Sequence, residues 1–305
     1  MNAEHYLEKM KKDIHVYTPH SMPDPDAVVV VVPGMAEHGK RYWEFADFLK
    51  GKNIQMIAVD HPGHGIHTKN PGVWPENGFF LCLDNLKYVL ETVKREYPLK
   101  KIILFGHSMG SFLSLGFLEH YGYLVDMCVL SGSNDKPSPA LLFIGRLVTA
   151  FQSAFSGRDK ASALMGKLTF GSYNKPFEPA ETPFDWLSRD KDRVQSYVND
   201  PLCGFISSAG LYHDLAVGLS YIFKNANIRK IQKELPVHIL SGSQDPVGQF
   251  GKGPAALNLR LSKAGIQNVS IRLYASNRHE CLNELNREEV MNDVYGWIYS
   301  GISPS

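Results

Sequence analysis

The sequence has few cysteines, almost no excess charge and no long aliphatic run. Only 4 of its 305 residues are cysteines, and no two are spaced as in a Cys-x-x-Cys motif, which indicates a reducing compartment and no disulfide framework. Lys and Arg number 32 against 31 Asp and Glu, a net charge of +1. This balance argues against a nucleic-acid-binding protein, which needs a basic surface.

No targeting or membrane-spanning segment is predicted. Residues 1–12 alternate charged and other side chains, unlike the apolar core of a signal peptide. Residues 141–155 are apolar but contain Arg146, so we expect this stretch to be too short and too charged to cross a bilayer. Together these features predict a soluble protein in the cytoplasm.

Strand and helix patterns alternate at both ends of the chain. This alternation is typical of an α/β fold with a mostly parallel central sheet. Residues 134–233 carry helical patterns and several prolines but no comparable strand run. We therefore predict a core in two parts, residues 1–133 and 234–305, with an inserted helical lid at 134–233, which we call the cap. Strands are predicted at 27–32, 54–59, 101–105, 127–130, 237–240 and 269–274, and helices at 41–52, 81–97, 109–120, 255–264 and 288–299.

Residues 106–110 read Gly-His-Ser-Met-Gly and match the pattern Gly-x-Ser-x-Gly. The motif follows a predicted strand and opens a predicted helix, the setting in which a serine sits on a strained turn at the edge of a parallel sheet. Its two glycines avoid clashes in a tightly folded turn. Ser108 is therefore the candidate nucleophile, in preference to a chance serine in a glycine-rich turn.

A nucleophilic serine needs a histidine base and a carboxylate that orients it, in the chain order Ser, Asp or Glu, His. Beyond His238 the sequence contains one histidine, His279, directly after the strand predicted at 269–274. Two acids follow strands that precede it. Asp245 follows the strand at 237–240, and Asp135 follows the strand at 127–130 where the cap begins. We favour Asp245 and keep Asp135 as the alternative.

The negative charge that forms during ester cleavage needs two backbone N–H donors. Met109, the residue after the nucleophile, supplies one. The second is expected from residues 33–38, Pro-Gly-Met-Ala-Glu-His, which follow the strand at 27–32 and which we call the oxyanion loop. Gly34 lets this loop turn closely, and the N–H of Met35 is the predicted donor.

Four blocks of the sequence together resemble the α/β-hydrolase superfamily and, within it, the bacterial type of the monoacylglycerol lipase and lysophospholipase group. The resemblance implies the α/β-hydrolase fold, the triad Ser108, Asp245 and His279, and no metal or organic cofactor. The oxyanion loop departs from the usual His-Gly-x-Gly-Glu-His, with Pro33 and Ala36 in place of the first His and the second Gly. The blocks are residues 34–42, 60–65, 106–110 and 278–284.

Other residues support less specific interpretations. His61, His64 and His67 lie close together, but the Asp60 block matches a structural turn of the resembled family, and we expect that role rather than a metal site. Arg278 and Glu280 flank His279 and are expected to brace its loop by a salt bridge. Glu284 is a further candidate for orienting that loop.

The predicted function is cleavage of carboxylic esters of lipophilic acyl chains, with a small lipid or ester as substrate. The resemblance and the apolar cap favour a monoacylglycerol or a lysophospholipid. An apolar stripe at residues 141–155 predicts helix packing, with an acyl pocket or transient membrane contact as the sharper alternatives. The sequence does not determine the acyl chain or the oligomeric state.

Two alternative functions stay open. The first is a hydrolase relative that binds a ligand without catalysing a reaction. The alternative enzyme is an aminopeptidase of the proline iminopeptidase type, whose amine anchor would be one of Glu178, Glu181, Asp185 and Asp192.

Overall fold

The computed structural model describes residues 14–302, and its seven strands form one sheet. The strands are β1 (His15–Tyr17), β2 (Ala27–Val32), β3 (Ile54–Asp60), β4 (Lys101–His107), β5 (Met127–Ser131), β6 (Val237–Gly242) and β7 (Val269–Tyr274). The helices are α1 (Trp43–Lys50), α2 (Gly78–Glu96), α3 (Met109–Tyr121), α4 (Pro139–Ser156), α5 (Ala163–Phe170), α6 (Lys191–Asn199), α7 (Ala209–Ile222), α8 (Asn225–Ile228), α9 (Lys252–Lys263) and α10 (Arg287–Ile302). Short 3-10 turns occur at Gly39–Tyr42, Gly122–Leu124, Lys175–Phe177, Asp185–Leu187 and Cys281–Asn283.

The strand order is β1-β3-β2-β4-β5-β6-β7. Strands β2 to β7 pair in parallel, and β1 alone pairs antiparallel, with β3. This confirms the predicted mostly parallel α/β fold, with all six expected strands. The antiparallel β1 was not predicted, because three residues are too few to show a period.

Strand β2 illustrates why the sheet is covered on both faces. All six of its residues are buried. Val28, Val30 and Val32 contribute to one hydrophobic cluster, and Ala27, Val29 and Val31 contribute to the other. Since successive side chains of a strand point to opposite faces, an unbroken β-branched run requires an apolar layer on each side.

Two helical layers supply that cover. Helices α1 and α10 pack on one face through residues such as Phe45 and Val294. Helices α2, α3, α7 and α9 pack on the other face through residues such as Phe79 and Leu257. The carboxyl ends of the parallel strands stay free of these layers, and parallel sheets commonly place their sites at this edge.

The cap lies between β5 and β6 and contains helices α4 to α8. Helix α7 nevertheless packs closely on the core, because a Cβ on Gly218 would lie 2.2 Å from the Phe79 ring of α2. Helices α4 and α5 are far more exposed, with only Leu142, Gly145, Thr149 and Met165 buried. The domain boundaries at 133/134 and 233/234 stay a prediction.

Helix α4 corrects one sequence expectation. It runs over 18 residues with a mean hydropathy of 1.2, and by length and composition it is the one helix within residues 14–302 that meets the requirement for a membrane span. The expectation that residues 141–155 are too short and too charged is therefore wrong by that criterion. The segment 1–12, judged unlike a signal peptide, lies outside the described residues.

Candidate active site

Ser108 lies on a strained turn between β4 and α3. Its backbone angles are φ 52° and ψ −120°, a conformation that non-glycine residues rarely adopt and that is often found at functional sites. The turn is packed tightly against β2, since a Cβ on Gly110 would lie 1.9 Å from the carbonyl oxygen of Val32. The serine therefore projects at the carboxyl edge of the sheet, and helix α3 begins directly behind it.

His279 and Asp245 are hydrogen-bonded at that same edge. The Nδ1 atom of His279 lies 3.0 Å from Oδ2 of Asp245, and both side chains are almost completely buried. Asp245 is held in turn by the N–H of Val247 at 2.8 Å and the hydroxyl of Ser241 at 3.3 Å. This arrangement fixes the tautomer of His279, with Nδ1 protonated and Nε2 available as an acceptor.

Asp135, the alternative acid, pairs with another residue. It forms a two-point ion pair with Arg260, at 2.5 Å and 2.9 Å. Both of its carboxylate oxygens are used in this pair. The structure therefore brings Asp245, and not Asp135, to the histidine.

The two histidines near the nucleophile have opposite pKa shifts. Burial alone would lower the pKa of His279, but the Asp245 carboxylate and its hydrogen bond outweigh burial and raise that pKa. Burial and the repulsion of His279 lower the pKa of His107 to about 4. Their ring centroids are 4.8 Å apart. His107 is therefore neutral at neutral pH and a weak base, whereas His279 is the stronger base of the two.

The backbone N–H groups of Met35 and Met109 are available for an anion. Met109 is the first residue of α3, so its N–H has no acceptor within the helix. Neither N–H donates to another backbone oxygen within residues 14–302. The oxyanion loop lies against the nucleophile, since a Cβ on Gly34 would lie 3.2 Å from the Cβ of Ser108.

Two of the three clustered histidines support the oxyanion loop. His61 Nε2 lies 3.0 Å from the carbonyl oxygen of Pro33, and His64 Nε2 accepts a hydrogen bond of 3.2 Å from the N–H of Ala36. Burial lowers the pKa of His64 to about 3, so this acceptor stays unprotonated. His67 instead stacks on His15, with ring centroids 4.2 Å apart. The three side chains thus have separate structural partners.

A buried arginine joins the oxyanion loop to the loop of His279. Arg41 donates to Glu37 at 2.6 Å and to both carboxylate oxygens of Glu280 at 2.7 Å. Burial favours the neutral form of Glu280, but the charge of Arg41 dominates and lowers the pKa of that carboxyl to about 2. The expected partner of Glu280 was Arg278, and the structure replaces it with Arg41.

The second half of the cap is bonded to the same two loops. The N–H of Glu280 donates to the carbonyl of Leu187 at 2.8 Å, and the hydroxyl of Tyr197 donates to the carbonyl of Ala36 at 2.9 Å. Arg189 donates to Glu284 at 2.9 Å. Glu284 also accepts from the N–H of Arg278 at 2.8 Å, so it does orient the histidine loop.

A cavity of about 210 Å³ lies between the sheet edge and the cap and is lined by both Ser108 and His279. Larger surface cavities of about 360 and 420 Å³ exist, but neither contains Ser108 or His279. The wall around the serine is mostly apolar and comes largely from the cap. Its apolar members include Met35, Phe170, Phe184, Trp186, Phe205 and Ile206.

Sequence reasoning missed the importance of three residues at this site. Glu37 and Arg41 are four residues apart, a spacing that allows a local ion pair, but their link to Glu280 spans 239 residues and left no local signal. Trp186, whose ring centroid is 5.1 Å from that of His279, lies in the cap. The sequence signal that could have identified Trp186 is the Phe-Asp-Trp-Leu segment that contains it.

Comparisons with known proteins agree over nearly the whole chain. A family model described as serine aminopeptidase, S33, matches residues 23–286. The monoacylglycerol lipase of Mycolicibacterium smegmatis is 26% identical over 295 residues, covering 93% of this chain and 91% of that protein. The human monoglyceride lipase is 28% identical over 282 residues, covering 92% and 83%. The crystal structure of a thermostable carboxyl esterase from Bacillus coagulans, in complex with glycerol, has a TM-score of 0.83 at 26% identity and covers 95% and 94%.

Proposed function

The chain belongs to the serine aminopeptidase S33 family of α/β-hydrolases, and from this premise we propose that it is a monoacylglycerol lipase that uses Ser108 as its nucleophile. The predicted resemblance to the monoacylglycerol lipase group is confirmed. The chain is a carboxylic ester hydrolase of the serine type. The observation that carries the finer proposal is the mostly apolar cavity that Ser108 and His279 both line.

The proposed reaction has two steps. Ser108 Oγ attacks the ester carbonyl while His279 Nε2 accepts its proton, and the N–H groups of Met35 and Met109 stabilise the tetrahedral oxyanion. Collapse of this intermediate breaks the bond to the alcohol, which leaves with the proton from His279. A water molecule activated by His279 then attacks the acyl-enzyme and releases the fatty acid. Asp245 holds His279 in the required tautomer and stabilises the imidazolium.

The lining of the cavity favours an acyl chain over a substrate amine. None of Glu178, Glu181, Asp185 and Asp192, the candidate amine anchors, lines this cavity. Its two acidic residues are Glu37 and Glu280, and both already form ion pairs with Arg41. An amine that enters the cavity would therefore lose its hydration with no unpaired carboxylate to compensate.

A substrate panel tests the function. We expect kcat/KM for monoacylglycerols to exceed that for a proline anilide by about tenfold or more, because apolar contacts in a pocket contribute ~1–3 kcal/mol per methylene. Hydrolysis is followed by fatty acid release, with Ser108→Ala as the blank. A preference for the proline anilide would replace this proposal with the aminopeptidase alternative.

We also propose that the exposed face of α4 contacts the lipid surface from which substrate is drawn. The rings of Phe151 and Phe155 are tilted by 41° to each other with centroids 4.5 Å apart, and the two side chains are 68% and 77% exposed. Clustered exposed apolar side chains favour association with an apolar surface. The other exposed apolar residues of this helix are Leu141, Phe143, Ile144 and Leu147.

The double variant Phe151→Ser with Phe155→Ser tests this contact. Each phenylalanine contributes about 1.5–3 kcal/mol when fully buried, so we expect binding to phospholipid vesicles in a sedimentation assay to fall by at least about tenfold. Turnover of a water-soluble short-chain ester is expected to stay unchanged. The matched control is Leu99→Ser, because Leu99 is 93% exposed and lies outside the cap. An equal loss in this control, or no loss in the double variant, contradicts the proposed contact.

A reducing compartment, the cytoplasm, is our proposal for the location of the protein. All four cysteines are free and buried. This pattern is the ordinary state of thiols in a reducing environment.

A further inference from the structure

Three side chains with metal-binding chemistry meet where the oxyanion loop contacts the cap. His38 ends the oxyanion loop, Asp200 follows helix α6 of the cap, and Cys203 lies three residues further along. One ligand atom from each lies within 4.8 Å of the other two. The closest pair is His38 Nε2 and Asp200 Oδ2, which are 2.8 Å apart. The cluster is outside the set of residues assigned to the reaction above.

This ligand set is one that zinc prefers. Zn²⁺ binds imidazole nitrogen, carboxylate oxygen and thiolate sulfur in a tetrahedral geometry. With bond lengths of about 2.0–2.3 Å, neighbouring ligand atoms are about 3.3–3.6 Å apart. The distance between His38 Nε2 and Asp200 Oδ2 would grow by about half an ångström as the ion replaces the hydrogen bond between them, and the sulfur of Cys203 would move inward. Three protein ligands leave the fourth position for water.

The charges around the cluster favour a cation. The positive charge of Arg41 acts on Asp200 and Cys203, but Arg41 is paired with both Glu37 and Glu280. These three residues together carry one negative charge, and Asp200 adds another. A divalent ion placed among them meets a net negative environment, and opposite charges attract strongly where water is partly excluded.

The cluster is also accessible from solvent. The side chain of His38 is 5% exposed, whereas that of Asp200 is 30% exposed. Cys203 is 9% exposed. A hydrated ion would therefore reach Asp200 first and then the two more deeply placed ligands, exchanging its water molecules for them.

We propose that His38, Asp200 and Cys203 form a binding site for a divalent metal ion of the zinc class, which fastens the cap to the oxyanion loop. Binding forms three metal–ligand bonds, breaks the His38–Asp200 hydrogen bond and displaces water from the ion. The thiol proton of Cys203 is released to solvent, and His38 changes tautomer, so that its proton moves from Nε2 to Nδ1 through solvent. Because the ligands come from both the core and the cap, the loaded ion stabilises the closed arrangement of these two parts. The ion has no part in ester cleavage.

Cobalt is the spectroscopic probe for this site. Full-length protein is stripped with a chelator and titrated with CoCl₂, and we expect a thiolate-to-cobalt charge-transfer band that added ZnCl₂ abolishes. Zn²⁺ is also expected to raise the Tm in differential scanning calorimetry, since an ion that binds only the folded state stabilises it. These signals do not depend on lipase activity, so failure of the substrate panel leaves the test intact.

Two variants with matched controls decide the outcome. Cys203→Ala is expected to remove the charge-transfer band, whereas Cys82→Ala, a change at another buried cysteine, keeps it. Asp200→Asn is expected to weaken cobalt affinity at least about tenfold relative to Asp192→Asn on the same cap helix, since a ligating carboxylate loses its charge. The Asp200 pair decides the question alone if Cys203→Ala fails to fold. An absent band in the wild type, a band that survives in Cys203→Ala, or equal affinities for the two aspartate variants would overturn the proposal.

Discussion

Replacement of Ser108 by alanine is expected to lower turnover of a monoacylglycerol by about a million-fold, the scale seen when the nucleophile of such a triad is removed. The variant keeps the cavity and the backbone donors but has no atom that can form the acyl-enzyme. Alanine also tolerates the left-handed turn no worse than serine, so the fold is expected to persist. The measurement is kcat with purified protein, supported by a circular dichroism spectrum.

A fluorophosphonate probe distinguishes loss of the nucleophile from loss of the fold. The wild type is expected to be labelled covalently, and Ser108→Ala is not. Ser262→Ala is the matched control, because Ser262 is an exposed serine on α9 and its loss leaves the nucleophile in place. Labelling of Ser108→Ala at the wild-type rate would assign the nucleophile to another residue and remove the basis of the mechanism.

The second large effect is expected from Asp245→Asn, which should lower kcat by about 10⁴-fold. The amide cannot hold His279 with Nδ1 protonated, so Nε2 is no longer reliably available to accept the serine proton. The variant preserves volume and leaves the buried site uncharged, which limits the damage to the fold. Asp135→Asn is the matched control, because that carboxylate pairs with Arg260, and its kcat should stay close to that of the wild type.

The pH profile separates this mechanism from a general loss of stability. His279 must be neutral to act as a base, so kcat/KM falls as the pH drops below its pKa. Burial alone lowers that pKa, but Asp245 raises it above the ordinary histidine value. The acid limb is therefore expected to move to lower pH in Asp245→Asn, where burial acts without the carboxylate charge. An acid limb that stays in place would show that another group controls the protonation of the base.

The core strands could be predicted because each of them carries its own signal. The composition of an apolar run such as β2 is enough to predict that the strand is buried on both faces. The motif around Ser108 is equally local, since strand, glycines and helix follow one another in the chain. Position along the chain was enough to select His279 and to favour Asp245, because parallel strands deliver their carboxyl ends to one edge.

The ion pairs and hydrogen bonds that hold the catalytic loops in place could not be predicted in the same way. The ion pair of Arg41 with Glu280 depends on how two distant loops meet, and a charged side chain gives no indication of its partner in advance. The conformation of Ala36 could not be predicted from the sequence either. Its φ of 55° lies in the left-handed region that favours glycine, and this conformation and its hydrogen bond to His64 are visible only in the coordinates.

The bonds from Leu187, Arg189 and Tyr197 to the two catalytic loops have a consequence for how this chain can diverge. The part of the insertion that includes these residues is tied to the reacting groups, so changes there alter the chemistry itself. Helices α4 and α5 make no such bonds among the described hydrogen bonds, yet α5 contributes Phe170 to the cavity wall. Substitutions or insertions in helices α4 and α5 can therefore change substrate preference and leave the catalytic residues unchanged. The same holds for an exchange of these two helices between related sequences.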